Sequence, residues 1–455
     1  MLFERIESEG LAHYSYIIGE GTEAVVIDPR RDCGIYVDKA KRAGARIALI
    51  LETHRNEDYV VGSVELASRT GAEIWHTEPE LEYGYGRLAR DGQVWKFGRL
   101  SLQAIHTPGH TPGSMSYLLK TPQGDPWILF SGDTLFAGDV GRVDLPGLDR
   151  MEEMAGLLHE SLFERIIPLG DDVIVCPAHG AGSVCGSVIQ DRPWTTIGIE
   201  RRLNPKIQHR NREDFIRDVA RELERPPYFR MMEKLNLEGP PVLGSLPVPD
   251  PVQAGDFAER AGSGLTLDVR SDLAFGAAHV PGSLFIWRSG LPSYAGWFLS
   301  YAKPVFLITP GGPPEVVPDL VRLGFDNVAG YLAGGMLAWH MAGKESRAVS
   351  MLTVQELCRQ LDAKMDRWIL DVRSEEELDS DGRIPDAHHI HITLLPGRLG
   401  EIPKDCTIYI FCGSGLRSMT AASLLARAGW KDIAVVLGGL AGWTSRTCPL
   451  KVTGS

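Results

Sequence analysis

The sequence predicts an α/β chain with three α/β domains and a helical extension, on three observations. Residues 1–190 alternate short β-branched runs with helical stretches, the pattern of a layered α/β fold. Residues 246–455 hold one α/β unit twice: Leu267-Asp268-Val269-Arg270-Ser271 returns as Leu370-Asp371-Val372-Arg373-Ser374, 103 residues later. Between these regions prolines crowd at Pro240-Pro241 and at Pro247-Val248-Pro249-Asp250-Pro251, which marks a domain boundary. The expected segments are 1–190, 191–246, 247–347 and 348–455, consistent with a length of 455 residues, too long for one ordinary domain.

Taken in order, Ala24 to Ile27 reads as a strand, Gly34 to Ala43 as a helix, Ile47 to Leu51 as a strand and Val60 to Thr70 as a helix. The strand at Ile47–Leu51 runs out into Glu52-Thr53-His54-Arg55-Asn56-Glu57-Asp58-Tyr59, an apolar run that ends in a polar cluster. His106-Thr107-Pro108-Gly109-His110 is a rigid, turn-rich segment able to aim one imidazole, and Trp127 to Gly132 is a strand that delivers Asp133. Two imidazoles and one carboxylate on separate strand ends suit a metal with open positions, the pattern of non-haem Fe(II) oxygenases. His76, His106 and His159 lack such a context, so packing or surface roles are expected for them.

Residues 191–245 read as helical and charge-rich, with a solvated face expected and a dimer contact as the alternative. In the repeat, Val305–Thr309 aligns with Ile408–Cys412, and Gly334-Gly335 with Trp339 aligns with Gly438-Gly439 with Trp443. Cys412-Gly413-Ser414-Gly415-Leu416-Arg417-Ser418 follows an apolar strand and precedes a helix predicted over Met419–Ala428. Such a loop points backbone N–H groups inward at a helix N-terminus. With Arg417, those donors are expected to stabilise a thiolate and then a persulfide on Cys412. The first copy has Thr309-Pro310-Gly311-Gly312-Pro313-Pro314 instead, without a nucleophile and with prolines that remove donors. A non-catalytic spacer or docking module is expected there.

A formal charge of −12 argues against a nucleic-acid or anionic-membrane surface. No apolar run reaches the roughly 18 residues of a membrane span. The seven cysteines have no paired spacing, so structural thiols are expected at Cys33, Cys176, Cys185, Cys358, Cys406 and Cys448. Met1 to Glu9 lacks signal-peptide anatomy, and a cytoplasmic location is expected.

The run Thr53-His54-x-Asn56-x-Asp58-Tyr59 resembles the His-x-His-x-Asp-His motif of the metallo-β-lactamase superfamily, with two histidines replaced. His110, Asp133 and Cys176-Pro177-Ala178-His179 come after it in the family order. The resemblance implies an αββα sandwich for the first domain. Asn56 and Tyr59 disfavour a dinuclear site, whereas the persulfide dioxygenases of this superfamily use one iron on residues matching His54, His110 and Asp133. Asp58, Tyr59 and His179 then fall to substrate or hydrogen-bonding roles. Gly138 to Leu145 resembles the substrate loop of those enzymes. Arg142 is expected either to orient a thiol carrier's carboxylate or to pair with Asp144, where the related glyoxalase II enzymes have an aromatic residue.

Both later domains resemble rhodanese domains. The whole chain is thus similar to fused persulfide dioxygenase–sulfurtransferases. That implies one Fe(II) per chain, with zinc the less favoured metal. The implied partners are a small-molecule thiol persulfide, O2, and sulfite or thiosulfate; a homo-oligomer is expected, with no nucleic acid and no membrane. The alternatives are a mononuclear glyoxalase II-like thioester hydrolase fused to a rhodanese, and a sulfur-relay protein whose lactamase domain is inactive.

Overall fold

The computed structural model describes residues 1–192, 194–362, 368–384 and 386–444; Cys448 and the Trp443 side chain lie outside what it describes. The chain divides into two units, Met1–Leu246 with Val321–Gly324, and Pro247–Leu320 with Phe325–Ser455.

In the first unit the β-branched runs pair into two six-stranded sheets. One sheet orders Leu2–Ser8, His13–Glu20, Glu23–Ile27, Arg46–Leu51, Glu73–His76 and Arg87–Leu88 side by side. Its first two pairings are antiparallel, and from Glu23–Ile27 onward the strands run parallel. Parallel neighbours need a crossover, and the helices Gly34–Arg42 and Ser63–Thr70 supply it. The other sheet orders Thr195–Thr196, Ile174–Pro177, Pro126–Gly132, Met115–Lys120, Leu100–His106 and Val94–Phe97.

Alternation decides what each strand face meets. Tyr16, Ile18, Val25, Ile27, Leu49 and Leu51 turn inward against Leu102, Ala104, Tyr117, Leu119 and Phe130, which forms the core between the sheets. Ile17, Val26 and Ile50 turn outward beneath Tyr36, Ala40 and Leu66 of the crossover helices. On the far side Leu118, Leu129 and Val175 lie under Met154, Leu158 and Leu162. The result is the αββα sandwich.

The helix predicted from Val60 begins at Ser63. Residues 60–62 instead run beside Pro29 and Arg30: Gly62 N–H donates to the Pro29 carbonyl at 2.6 Å, and Arg30 bridges to Val61. A Cβ on Gly62 would lie 2.1 Å from the Arg30 carbonyl, so the close approach requires glycine. Residues 191–246 expose charged helix faces, as at Arg212, Glu213 and Arg217, and bury apolar ones. Their helices Ile197–Leu203, Arg212–Val219 and Phe229–Glu238 bury Phe215, Phe229 and Met232 completely, and Phe215 packs with Leu158 and Leu162.

In the second unit the repeat becomes two five-stranded parallel sheets with the same topology. The first orders Asp250–Val252, Val328–Leu332, Val305–Ile308, Leu265–Asp268 and Leu284–Phe285. Its counterpart orders Ser350–Thr353, Ile433–Leu437, Ile408–Phe411, Trp368–Asp371 and His388–His389. The central strands Val305–Ile308 and Ile408–Phe411 are buried at every position, as continuous apolar runs in parallel sheets should be. Phe275 and Phe285 of the first copy join the core around Leu370, Ile410 and Met419 of the second. Cys358 is disulfide-bonded, against the expectation of a structural thiol, because tertiary approach and not linear spacing sets such a pairing. No helix among the described residues is long and apolar enough to cross a membrane.

Candidate metal centre and persulfide loop

The strand Arg46–Leu51 delivers Thr53 and His54 to the edge of the sandwich. Asp28 stands at the end of the neighbouring strand with φ of 48°, a conformation rare outside glycine. Its carboxylate accepts Thr53 N–H at 2.8 Å and the Thr53 hydroxyl at 2.7 Å. That hydroxyl, its own proton committed, accepts from His54 Nδ1 at 2.8 Å. The proton therefore resides on Nδ1, and the Nε2 lone pair faces the interior. Residues up to 180 positions away hold the same loop. Asn236 donates to the Asn56 carbonyl at 2.7 Å and the Tyr59 carbonyl at 2.8 Å, and accepts from Val61 N–H at 2.9 Å.

His110 is fixed by the same logic. Its Nδ1 donates to the Arg142 carbonyl at 2.9 Å, which again leaves Nε2 as the free acceptor. Gly109 lets this turn approach the helix Met151–Glu160: its φ is 149°, and a Cβ there would lie 2.4 Å from Leu158 Cβ. Asp133 comes directly after Gly132, whose φ of 54° turns the chain out of the strand. Its Oδ2 lies 3.6 Å from His54 Nε2 and 3.4 Å from His110 Nε2. The structure thus brings His54, His110 and Asp133 together, all essentially inaccessible to solvent.

Electrostatics keeps these donors ready for a cation. Burial pushes the His54 imidazole down to about 3 and lowers that of His110, so both are neutral at neutral pH. Burial alone would raise the Asp133 carboxyl, but the adjacent His179 and His54 hold it well below the usual range. His54 Nε2 and His110 Nε2 are buried without hydrogen-bond partners. Two orphaned imidazole nitrogens beside a carboxylate are costly unless something fills the space between them. The donor set fits a divalent metal.

The remaining expected residues take distinct places. His179 lies between two carboxylates, with Nδ1 2.7 Å from Asp133 Oδ1 and Nε2 2.9 Å from Asp58 Oδ2. Tyr59 is buried, its hydroxyl toward the Asp28 carbonyl at 3.4 Å and its ring 3.9 Å from that of His13. Asn56 donates to the His54 carbonyl. Of the two roles expected for Arg142, the structure shows the pairing with Asp144. Nε and Nη2 grip Asp144, each at 2.7 Å, and the remaining donors go to the carbonyls of Val184, Leu223 and Glu224. No donor is left for a ligand, and Arg142 serves the centre through the carbonyl that fixes His110.

Two residues near the centre carry little signal in the sequence. Buried Cys185 offers its sulfur within 4.8 Å of ligand atoms of His110 and Asp133. Glu57, in the motif's unassigned position, is fully buried beside His110. The metal motif would have drawn attention to Glu57 only if side-chain direction in that loop were known.

In the second unit Cys412 sits just past the strand Ile408–Phe411 and is fully buried. Gly415, with φ of 105°, turns its N–H to Cys412 Sγ at 3.0 Å. The helix then starts at Leu416 rather than at Met419, so its N-terminus abuts the loop. Gly413 and Ser414 form the turn before Gly415, and Leu416 and Ser418 lie in the first turn of the helix. The closing Gly-Gly pair has a steric reason: a Cβ on Gly439 would lie 2.0 Å from the Cys412 carbonyl, and Leu440 N–H donates to that carbonyl at 2.9 Å. Arg417 is gripped by Glu377 through both terminal nitrogens. Tyr294, on the helix Leu291–Phe298 of the first copy, stands close enough to Arg417 to feel its charge, while burial raises its phenol. Trp287 and Phe298 of that copy pack on the core that contains Cys412.

Comparison with known proteins agrees with this division. Residues 9–179 match the metallo-beta-lactamase superfamily, and residues 253–342 and 353–446 each match a rhodanese-like domain. Hydroxyacylglutathione hydrolase GloC of Haemophilus influenzae is 26% identical over 218 residues, 43% of this chain and 93% of that protein. Mitochondrial persulfide dioxygenase ETHE1 of Bos taurus is 28% identical over 246 residues, 50% of this chain and 78% of that protein. The crystal structure of a metallo-beta-lactamase from Staphylococcus aureus subsp. aureus COL superposes with a TM-score of 0.65 at 30% identity, covering 73% of this chain and 99% of that one. The chain belongs to the metallo-beta-lactamase superfamily and carries two rhodanese-like domains behind its lactamase fold.

Proposed function

We propose that the chain is a persulfide dioxygenase–sulfurtransferase whose first domain holds one Fe(II) on His54, His110 and Asp133. One observation carries this reading: two neutral imidazoles present unpartnered Nε2 atoms beside Asp133, while His179, the ligand-type residue of the neighbouring position, is engaged by Asp58 and Asp133. Asn56 and Tyr59 supply no ligand for a second metal, which favours a mononuclear centre. Bound iron would supply the redox chemistry that turns O2 on the terminal sulfur of a thiol persulfide. In balance, RSSH, O2 and H2O give RSH, sulfite and two protons. The protein's part is to keep both imidazoles neutral and aimed, through Asp28–Thr53 and the Arg142 carbonyl, and to exclude bulk water from a buried site.

The second unit moves sulfane sulfur. The Cys412 thiolate attacks the outer sulfur of thiosulfate, the S–S bond breaks, sulfite leaves and a persulfide remains on Sγ; a small thiol then takes that sulfur. In reverse, a Cys412 persulfide and sulfite give thiosulfate. The Gly415 N–H and the helix N-terminus at Leu416 favour the anionic sulfur. A thioester hydrolase is the second reading, favoured by the similarity to GloC. His54→Ala, His110→Ala and Asp133→Ala are each expected to lose bound iron and persulfide-dependent O2 uptake. Full uptake in any purified variant contradicts the assignment.

A further inference from the structure

We propose that Glu57 is a fourth protein ligand to the metal at His54, His110 and Asp133. The inference rests on the reading that those three residues hold a metal, and adds a carboxylate from a position to which the superfamily motif gives no ligand. The first support is burial. Glu57 is fully inaccessible, and its Oε2 has no hydrogen-bond partner. A buried carboxylate oxygen left in that state is costly.

The second support is direction. Arg55 Nη2 holds Glu57 Oε1 at 3.3 Å, which leaves Oε2 facing inward. Oε2 lies 3.8 Å from His110 Nε2, too far for a hydrogen bond between them. Ligand atoms of His54, Glu57 and His110 nevertheless lie within 4.8 Å of one another. Metal–ligand bonds of about 2.0–2.2 Å put adjacent ligand atoms on the order of 3 Å apart. The separations from Oε2 to His110 Nε2, and from Asp133 Oδ2 to both imidazoles, are therefore slightly expanded versions of a bound set. A cation between them satisfies three orphaned atoms at once: His54 Nε2, His110 Nε2 and Glu57 Oε2.

Charge and position agree with this geometry. Two neutral imidazoles and one Asp leave a buried dication with a single formal negative charge, and Glu57 supplies the second. Glu57 also lines a cavity of about 370 Å³ together with Arg55, Thr111, Arg225 and Glu233.

The test uses the full-length, metal-free chain titrated anaerobically with Co(II), with affinity and the visible d–d absorption as readouts. Wild type is expected to bind one Co(II) per chain. The isosteric Glu57→Gln is expected to bind at least about tenfold more weakly, no less than the loss seen when a supporting residue is removed, and with an altered spectrum. Glu57→Asp keeps the charge but withdraws the carboxylate by one carbon, and the same direction of change is expected should the Gln variant fold poorly. Unchanged affinity and spectrum in both variants overturn the proposal. His54→Ala separates the two claims. If it loses Co(II) while the Glu57 variants do not, Glu57 alone is not a ligand; if it too binds like wild type, the metal reading itself fails.

Discussion

The two rhodanese-like copies share a sheet order and a signature, yet only one places a cysteine at the exit of its central strand. In both, the Asp-Val-Arg run forms the same clamp. Arg270 grips Asp268 and donates to the Ala278 carbonyl, while Arg373 grips Asp371 and donates to the Gly382 carbonyl. The motif most visible in the sequence therefore belongs to the fold and not to the chemistry. Even the loop start is alike: Gly312 N–H reaches Thr309 Oγ1 at 2.9 Å, and Gly415 N–H reaches Cys412 Sγ at 3.0 Å. The prolines of the first loop thus spare one donor. The two loops part at their exits. The second enters a 12-residue helix directly at Leu416, whereas the first passes through the turn Pro313–Glu315 before a 6-residue helix begins at Val317. On the proposed reading, the nucleophile and the abutting helix N-terminus act together.

The largest effect that would break this contrast belongs to the nucleophile. Cys412→Ser is expected to lower thiosulfate:thiol sulfur transfer by at least about a thousandfold, because a hydroxyl supplies no anion near neutral pH. Persulfide-dependent O2 uptake should remain, since its ligands come from another domain. Equal loss of both activities would mean that the two sites are obligatorily coupled.

Next in size is the clamp. Arg373→Ala strands Asp371 in a fully buried setting and is expected to destabilise the second copy by about 3 kcal/mol, read from denaturant unfolding. Arg270→Ala should cost less, because Arg270 is the more exposed of the two. Equal costs would remove burial as the explanation.

Smaller again is the contribution of Tyr294. Tyr294→Phe is expected to lower kcat/KM for thiosulfate by no more than about tenfold, because a phenol oxygen near the Arg417 guanidinium is worth at most one hydrogen bond to a charged group, with stability unchanged. The smallest effect expected is none: Thr309→Cys in a Cys412→Ser background should restore no transfer despite the retained Gly312 donor. Transfer above the Cys412→Ser level would show that the helix N-terminus is dispensable.

The same contrast explains what the sequence made legible. His54 and Asp133 were visible because each follows an apolar run, His110 because it closes a turn-rich segment, and Cys412 because it sits at a strand end inside a repeat. Local pattern reports such positions well. It does not report Asn236, which holds the His54–Tyr59 loop from 180 residues away, or Tyr294, which stands near Arg417 from the other copy. Arg142 left two roles open for a related reason: only tracing its five donors, to Asp144 and three carbonyls, selects the pairing with Asp144. Glu57 stayed hidden because a loop has no periodicity from which to read side-chain direction.

The central claim is that the lactamase-fold domain is an iron oxygenase and the second rhodanese-like copy a separate sulfur carrier. Metal content measured together with O2 consumption on the purified wild-type chain tests it most directly. The account predicts close to one iron per chain and one O2 consumed per sulfite formed from a supplied thiol persulfide. Zinc in place of iron, with thioester hydrolysis and no persulfide-dependent O2 uptake, would contradict it.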